Sequence, residues 1–213
     1  MGRISIRCQV LIGFVAISSS SGSPTRAAAE VHASKSLTVQ ASGPRQGSAG
    51  SNYFNVQGKT KERFAGFGVL VFQVPSGENP AEIKDLTITL VQSIPAFASD
   101  GKLKFYLAQL SEADSGSLQK LKFDPQATGG LAVNAFKSLH LLGSGAFKKV
   151  ETGRVDNFLL KPDEMARNEL RKTIKAGGLI HVVVVPDDDD VAATYFGAGN
   201  ETVTNRPRIK MGE

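Results

Sequence analysis

Four consecutive aspartates, Asp187, Asp188, Asp189 and Asp190, are the densest group of possible metal ligands in the chain. Hard cations such as Ca²⁺ gather several carboxylate and carbonyl oxygens, so the run is a candidate Ca²⁺ site. Asp100 or Asp114 would complete it if folding brought either near. The spacing argues the other way. Successive side chains of an extended strand point to opposite faces, and calcium loops set their ligands at alternating positions. The competing reading is a solvated acidic turn that keeps a hydrophobic hairpin from pairing with other chains. Apart from Ca²⁺, no cofactor is expected.

A second group lies on one predicted strand. Lys102, Lys104 and Tyr106 alternate with Leu103, Phe105 and Leu107, so the two lysines and the tyrosine share a face. That face could present a half-exposed aromatic ring to a sugar and a cationic stripe to an acidic polysaccharide or a membrane surface. Lys120 and Lys122 form a similar basic pair. Such lysines also serve simply as a solvated sheet face that blunts an edge. The composition weighs against a broad sugar platform: the chain has no Trp, three Tyr and twelve Phe, a set suited to packing.

Catalytic chemistry finds little purchase. His32, His140 and His181 are scattered, with no partner at a metal-binding spacing such as H-E-x-x-H. The nucleophile elbow G-x-S-x-G, the phosphate-binding P-loop and the dinucleotide fingerprint are all absent. Gly143, Ser144 and Gly145 read as a turn. Paired carboxylates for glycoside hydrolysis need only meet in space, yet no pair is singled out.

The elements that must position these groups are mostly strands. Residues 64–74 carry Leu70, Phe72 and Val74 on one face and Phe67, Val69 and Val71 on the other, which predicts a central strand covered on both sides. In residues 83–92, Leu86, Ile88 and Leu90 alternate with Thr87 and Thr89, the period of a half-buried strand. Residues 53–56, 103–107, 179–185, 191–196 and 206–211 are further strands, and 138–142, 146–150 and 157–160 weaker ones. Turn residues separate them at Pro75 to Gly77, Ser99 to Gly101, Asp124–Pro125 and Gly129–Gly130. Residues 41–51 read as loop.

One helix interrupts the series. Pro162, Asp163 and Glu164 suit a first turn, and Met165, Ala166, Leu170 and Ile174 can line one stripe. Basic residues crowd the last turn before Gly177 and Gly178. The predicted helix, about 163–175, caps one open end of an antiparallel β-sandwich.

Residues 1–29 read as an export signal: Arg3 and Arg7, a short apolar run at 8–17, then Ala27, Ala28 and Ala29. The run is shorter than the ~20 residues that span a bilayer. Cys8 falls within it, so the exported part would hold no cysteine and rely on its core rather than on disulfides, which suits a bacterial exported protein. Three of the 25 basic residues, Arg3, Arg7 and Arg26, also lie there, with no acid. The remaining chain carries 22 basic against 20 acidic residues, so the formal charge of +5 shrinks to +2. That is too little concentrated charge to imply a nucleic-acid partner. Residues 30–213 suit a single domain.

The order of these pieces resembles a loose group of exported bacterial β-sandwich domains, related to carbohydrate-binding jelly rolls and DNRLRE-type modules. The residues that carry the resemblance are Tyr53 to Val56, Phe67 to Phe72, Leu86 to Ser93, Phe97 to Gly101, Lys104 to Leu107, Ala193 to Gly197 and Arg206 to Ile209. Such domains often close with an Ala-Thr-Tyr segment and an Arg-Pro-x-hydrophobic strand. The motif that names the DNRLRE modules is missing, and the resemblance implies fold and compartment but transfers no catalytic residue.

The expectation is therefore an all-β, jelly-roll sandwich, secreted or at the cell surface, with no stable membrane span after signal cleavage. It would act without catalysis as a structural or adhesive module. The alternative is a carbohydrate-binding module, Ca²⁺-assisted or not, and a third reading is a polysaccharide-active enzyme. The expected partner is a polysaccharide or the cell envelope.

Overall fold

The computed structural model describes residues 30–74, 83–110, 116–131 and 136–212. The export signal at 1–29, the turn at Pro75 to Gly77 and Asp114 lie outside these residues.

Among these residues, eleven strands are joined in antiparallel pairs. In chain order the elements are β1 (Glu30–Gln40), β2 (Gly43–Pro44), α1 (Ser48–Asn52), β3 (Tyr53–Gln57), β4 (Gly66–Gln73), β5 (Asp85–Val91), β6 (Gly101–Leu110), α2 (Gly116–Gln119), β7 (Phe136–Phe147), β8 (Val155–Leu160), α3 (Glu164–Lys175), β9 (Leu179–Pro186), β10 (Ala192–Phe196) and β11 (Arg208–Gly212). The sheet runs β7-β6-β9-β4-β1-β11-β5-β8, with the β3–β10 pair branching from β4. This one large sheet curls until it is nearly closed. The fold is all-β, as the alternation of the sequence predicts, and α3 is the expected short helix.

β1 turns the sheet from one layer into the other. Leu37, Thr38 and Val39 pair with β4, whereas Glu30, Val31 and His32 pair with β11. The register slips between Ala33 and Lys35. An extra residue in a strand bends it and exchanges its inward and outward faces. Val31 and Ala33 therefore face the core before the slip, and Ser36, Thr38 and Val39 are the buried residues after it.

The two faces of β4 lie in two cores, as its sequence predicts. Leu70, Phe72 and Val74 join the inner core with Leu86, Ile88, Leu103, Phe105, Val182 and Val184. Phe67, Val69 and Val71 join an outer core with Val183, Val185 and Ala108, covered by Leu118, Leu121, Phe123, Leu131 and Phe136. These five side chains, from residues 118–131 and the start of β7, thus cover the central strands on their outer side.

The helix forms where expected because its ends are satisfied. The Asp163 carboxylate accepts from the Ala166 N–H at 2.8 Å, which meets one of the donors left free at a helix start. At the other end Gly177 adopts φ 64°. Gly177 and Gly178 donate to the carbonyls of Ile174 and Thr173, a Schellman close. Ala166, Leu170 and Ile174 are buried in the inner core. Met165, placed on that stripe from sequence, is 65% exposed instead.

Four other expectations are corrected. Gly143 to Gly145 is not a turn but the middle of β7, and the two weak strands at 138–142 and 146–150 are this single strand. A β-carbon on Gly145 would fall 2.5 Å from the Phe158 ring, and one on Gly143 3.3 Å from Leu160. The glycines let β7 approach β8 where the sheet comes closest to closing. Residues 41–51, read as loop, contain β2 and the start of α1. The central strand begins at Gly66, so Phe64 belongs to a preceding 3-10 turn, Lys59–Phe64. Among the described residues, no helix is long and apolar enough to cross a membrane.

Candidate functional site

A concavity of about 800 Å³ opens over the β3–β10 pair. Period two explains its floor. Phe54 and Val56 of β3, with Ala193 and Tyr195 of β10, point into the inner core. Tyr53, Asn55 and Gln57, with Ala192 and Thr194, therefore point the other way and line the cleft. The register sets Ala192 opposite Gln57 and Thr194 opposite Asn55.

One wall is the 3-10 turn before β4, which contributes Lys61, Arg63 and Phe64. Glu62, between the two cations, has φ 51° and ψ −119°, a conformation that costs a non-glycine residue about 1–3 kcal/mol. With the chain kinked there, Lys61 and Arg63 both line the cleft and Glu62 does not. The Arg63 guanidinium lies 4.7 Å from the Phe64 ring centre, and the Gln40 amide donates to the Arg63 carbonyl at 3.2 Å.

The opposite wall is the segment after β5, with Ile94, Ala96, Phe97 and Ser99. It is tied to β10. The Thr194 hydroxyl donates to the Ile94 carbonyl at 2.8 Å, and the Ser99 hydroxyl accepts from the Ala192 N–H at 3.0 Å. Arg45 completes the lining, and the Asn55 side-chain oxygen accepts from its guanidinium at 3.2 Å when the amide is oriented to satisfy both neighbours. Phe64 and Phe97 are 54% and 66% exposed. Gln57 is only 7% exposed, and its Oε1 is buried without a hydrogen-bond partner.

No family model and no curated protein matches the chain. The site therefore rests on its own geometry.

The residues singled out from sequence lie elsewhere, and they are dispersed. Asp187 pairs with Lys104, a hydrogen bond that raises the lysine pKa above its ordinary value. Asp189 pairs with Lys59 at 2.8 Å. Asp188 accepts from the Asp190 N–H at 3.2 Å, and the Asp190 carboxylate lies 3.0 Å from the Thr60 hydroxyl. Asp100 accepts instead from the Lys149 N–H at 2.8 Å. Asp187, Asp188 and Asp189 border a smaller hollow of about 240 Å³. Among the described residues, no three His, Cys, Asp or Glu side chains are grouped so as to hold a metal ion.

The acidic turn is a clasp between the cleft walls. The Asp189 carbonyl accepts from the Thr60 N–H at 3.2 Å and lies 2.7 Å from its hydroxyl. The Asp190 carbonyl accepts from the Ser99 hydroxyl at 3.2 Å. Thr60 belongs to one wall and Ser99 to the other.

Tyr106 is half-buried against the outer core. It and Lys102 stand on β6, outside the cleft lining. His181, on β9, has its pKa lowered, chiefly by burial and then by Lys35. The cleft residues escaped the sequence reading because six separate segments supply them. The local hints were Phe64 and Phe97, large apolar rings set among charged or turn-forming neighbours.

Proposed function

We propose that the protein is a non-catalytic β-sandwich module that binds polysaccharide at a cell-envelope or extracellular surface, through the cleft over β3 and β10. The observation that carries this reading is the pair of exposed rings, Phe64 and Phe97, on opposite walls above a floor of amides. Large rings left in solvent and grouped around a concavity are characteristic of binding surfaces. The apolar face of a pyranose stacks on such rings, while Asn55 and Gln57 offer hydrogen bonds to its hydroxyls. The described lining holds no carboxylate, histidine or cysteine. A pair of carboxylates for glycoside hydrolysis is therefore not at hand there, which favours retention of a polymer over its cleavage.

Affinity electrophoresis of the full chain through gels containing a panel of polysaccharides tests this. Retention by at least one polymer is expected, weakened about tenfold or more by Phe64→Ala with Phe97→Ala, since tenfold corresponds to ~1.4 kcal/mol. Tyr106→Ala should leave it intact. No retention by any polymer, or retention indifferent to the two phenylalanines, would overturn the reading.

A further inference from the structure

We infer that the polymer bound in this cleft is anionic, its carboxylate or sulfate groups received by Arg45, Lys61 and Arg63; this rests on the polysaccharide reading above. Three cations line the cleft and no acid does. Lys59, Lys104, Lys172 and Arg208 have a carboxylate partner, whereas most other described cations lack one; what sets the cleft apart is that three such cations share one concavity. Among the described residues, Arg45, Lys61 and Arg63 have none.

Leaving three cations unneutralised in one concavity concentrates positive potential there, because low-dielectric walls focus the field. The backbone reinforces that sign. The strained φ at Glu62 accompanies an arrangement in which the one acid of the turn stays out of the cleft lining while both its basic neighbours enter it. Arginine adds geometry to charge. Its planar fork matches a carboxylate or sulfate with two parallel hydrogen bonds, and the Asn55 amide braces Arg45 from the floor.

The floor specifies a second chemistry. Asn55 and Gln57 form the base of the cleft, and side-chain amides there are hydrogen-bonding partners for sugar hydroxyls. Cations for the acid groups, exposed rings for the sugar faces and floor amides for the hydroxyls together describe an acidic saccharide.

The experiment compares polymers that share a backbone and differ in charge: polygalacturonate against its fully methyl-esterified form, and dextran sulfate against dextran. Binding of the full chain is measured by calorimetry at physiological salt. The expected result is at least about tenfold tighter binding to one charged member than to its uncharged counterpart, with tenfold being ~1.4 kcal/mol. Arg45→Gln with Lys61→Gln and Arg63→Gln should remove that difference, Arg63→Gln alone should reduce it, and Lys102→Gln, outside the cleft, should not change it. Melting curves confirm that each variant is folded. Equal binding of charged and uncharged members, still dependent on Phe64 and Phe97, overturns the charge assignment and leaves the polysaccharide cleft standing. Binding of neither member of either pair overturns both. Charged-polymer binding that survives the triple substitution, or falls equally with Lys102→Gln, shows a general surface attraction and overturns the assignment.

Discussion

The carbonyl oxygen of Asp189 occupies the space beside Gly58 so fully that a β-carbon on Gly58 would lie 2.1 Å from it. The same glycine donates its N–H to the Val191 carbonyl at 2.8 Å. The acidic turn thus sits on the chain just before the cationic wall, and only a residue without a side chain permits the seat. Gly58→Ala is expected to destabilise the fold by about 1–3 kcal/mol, as crowding of packed atoms does, and to weaken cleft binding by displacing Lys61 and Arg63. Thermal denaturation and the polymer titration, read together, check it.

The close of β7 on β8 gives a second glycine test. Gly145→Ala would drive a methyl group to 2.5 Å from the Phe158 ring, whose centre lies 4.9 Å from that of the tilted Phe105 ring. A loss of about 1–3 kcal/mol in urea unfolding is expected. Ser144→Ala, on the residue between the two glycines, should cost far less, because no packed ring stands in its way.

These two positions also mark what the sequence discloses. Leu86, Ile88 and Leu90, the two faces of β4 and the stripe Ala166, Leu170, Ile174 were legible because their periods are local. The glycines at 143–145 misled, since glycine marks both turns and close approaches of two backbones. β1 was silent for a different reason. Two of its three buried residues after the slip are the polar Ser36 and Thr38, made acceptable by distant partners: the Ala198 N–H donates to the Ser36 hydroxyl, and the Asn55 N–H donates to that of Thr38, each at 2.8 Å. No window of eleven residues contains that compensation. The cleft was hidden likewise, because Arg45, Lys61 and Phe97 meet only after β3, β4 and β10 have paired.

Acid should loosen the fold in two separable windows. His181 is held below its ordinary 6.5 by burial, with Lys35 adding repulsion. The unfolded chain therefore binds a proton more readily than the folded one, and the stability this group sustains is complete above 6.5 and erodes as pH falls below it. Glu169, held below 4.5 chiefly by its hydrogen bond from Lys172, loses its contribution only at lower pH, on passing below 4.5 toward its folded value. Melting temperature should fall as pH drops below 6.5 in the native chain and much less in His181→Gln, with the lower window unchanged by that substitution. An unaltered slope in His181→Gln would assign the upper window to another group.

Calcium provides the sharpest test of what the four aspartates do. Binding Ca²⁺ requires several oxygens to converge on one point, yet here the carboxylates are drawn apart. Asp187 is engaged by Lys104 and Asp189 by Lys59, while Asp190 faces Thr60 and Asp188 closes its own turn. Gathering three of them around an ion would break at least one of the two lysine pairs and disturb the contacts that hold the turn to Thr60, loosening the clasp. Millimolar Ca²⁺ is therefore expected to leave the melting temperature unchanged. Thr60→Val, which removes the hydroxyl while keeping the shape, should instead lower it by about 1 °C or more, since one hydrogen bond contributes about 0.5–1.5 kcal/mol, and should weaken polymer binding through the displaced wall. A rise in melting temperature with Ca²⁺ that Asp188→Asn and Asp189→Asn abolish would show the turn to be a metal site rather than a clasp.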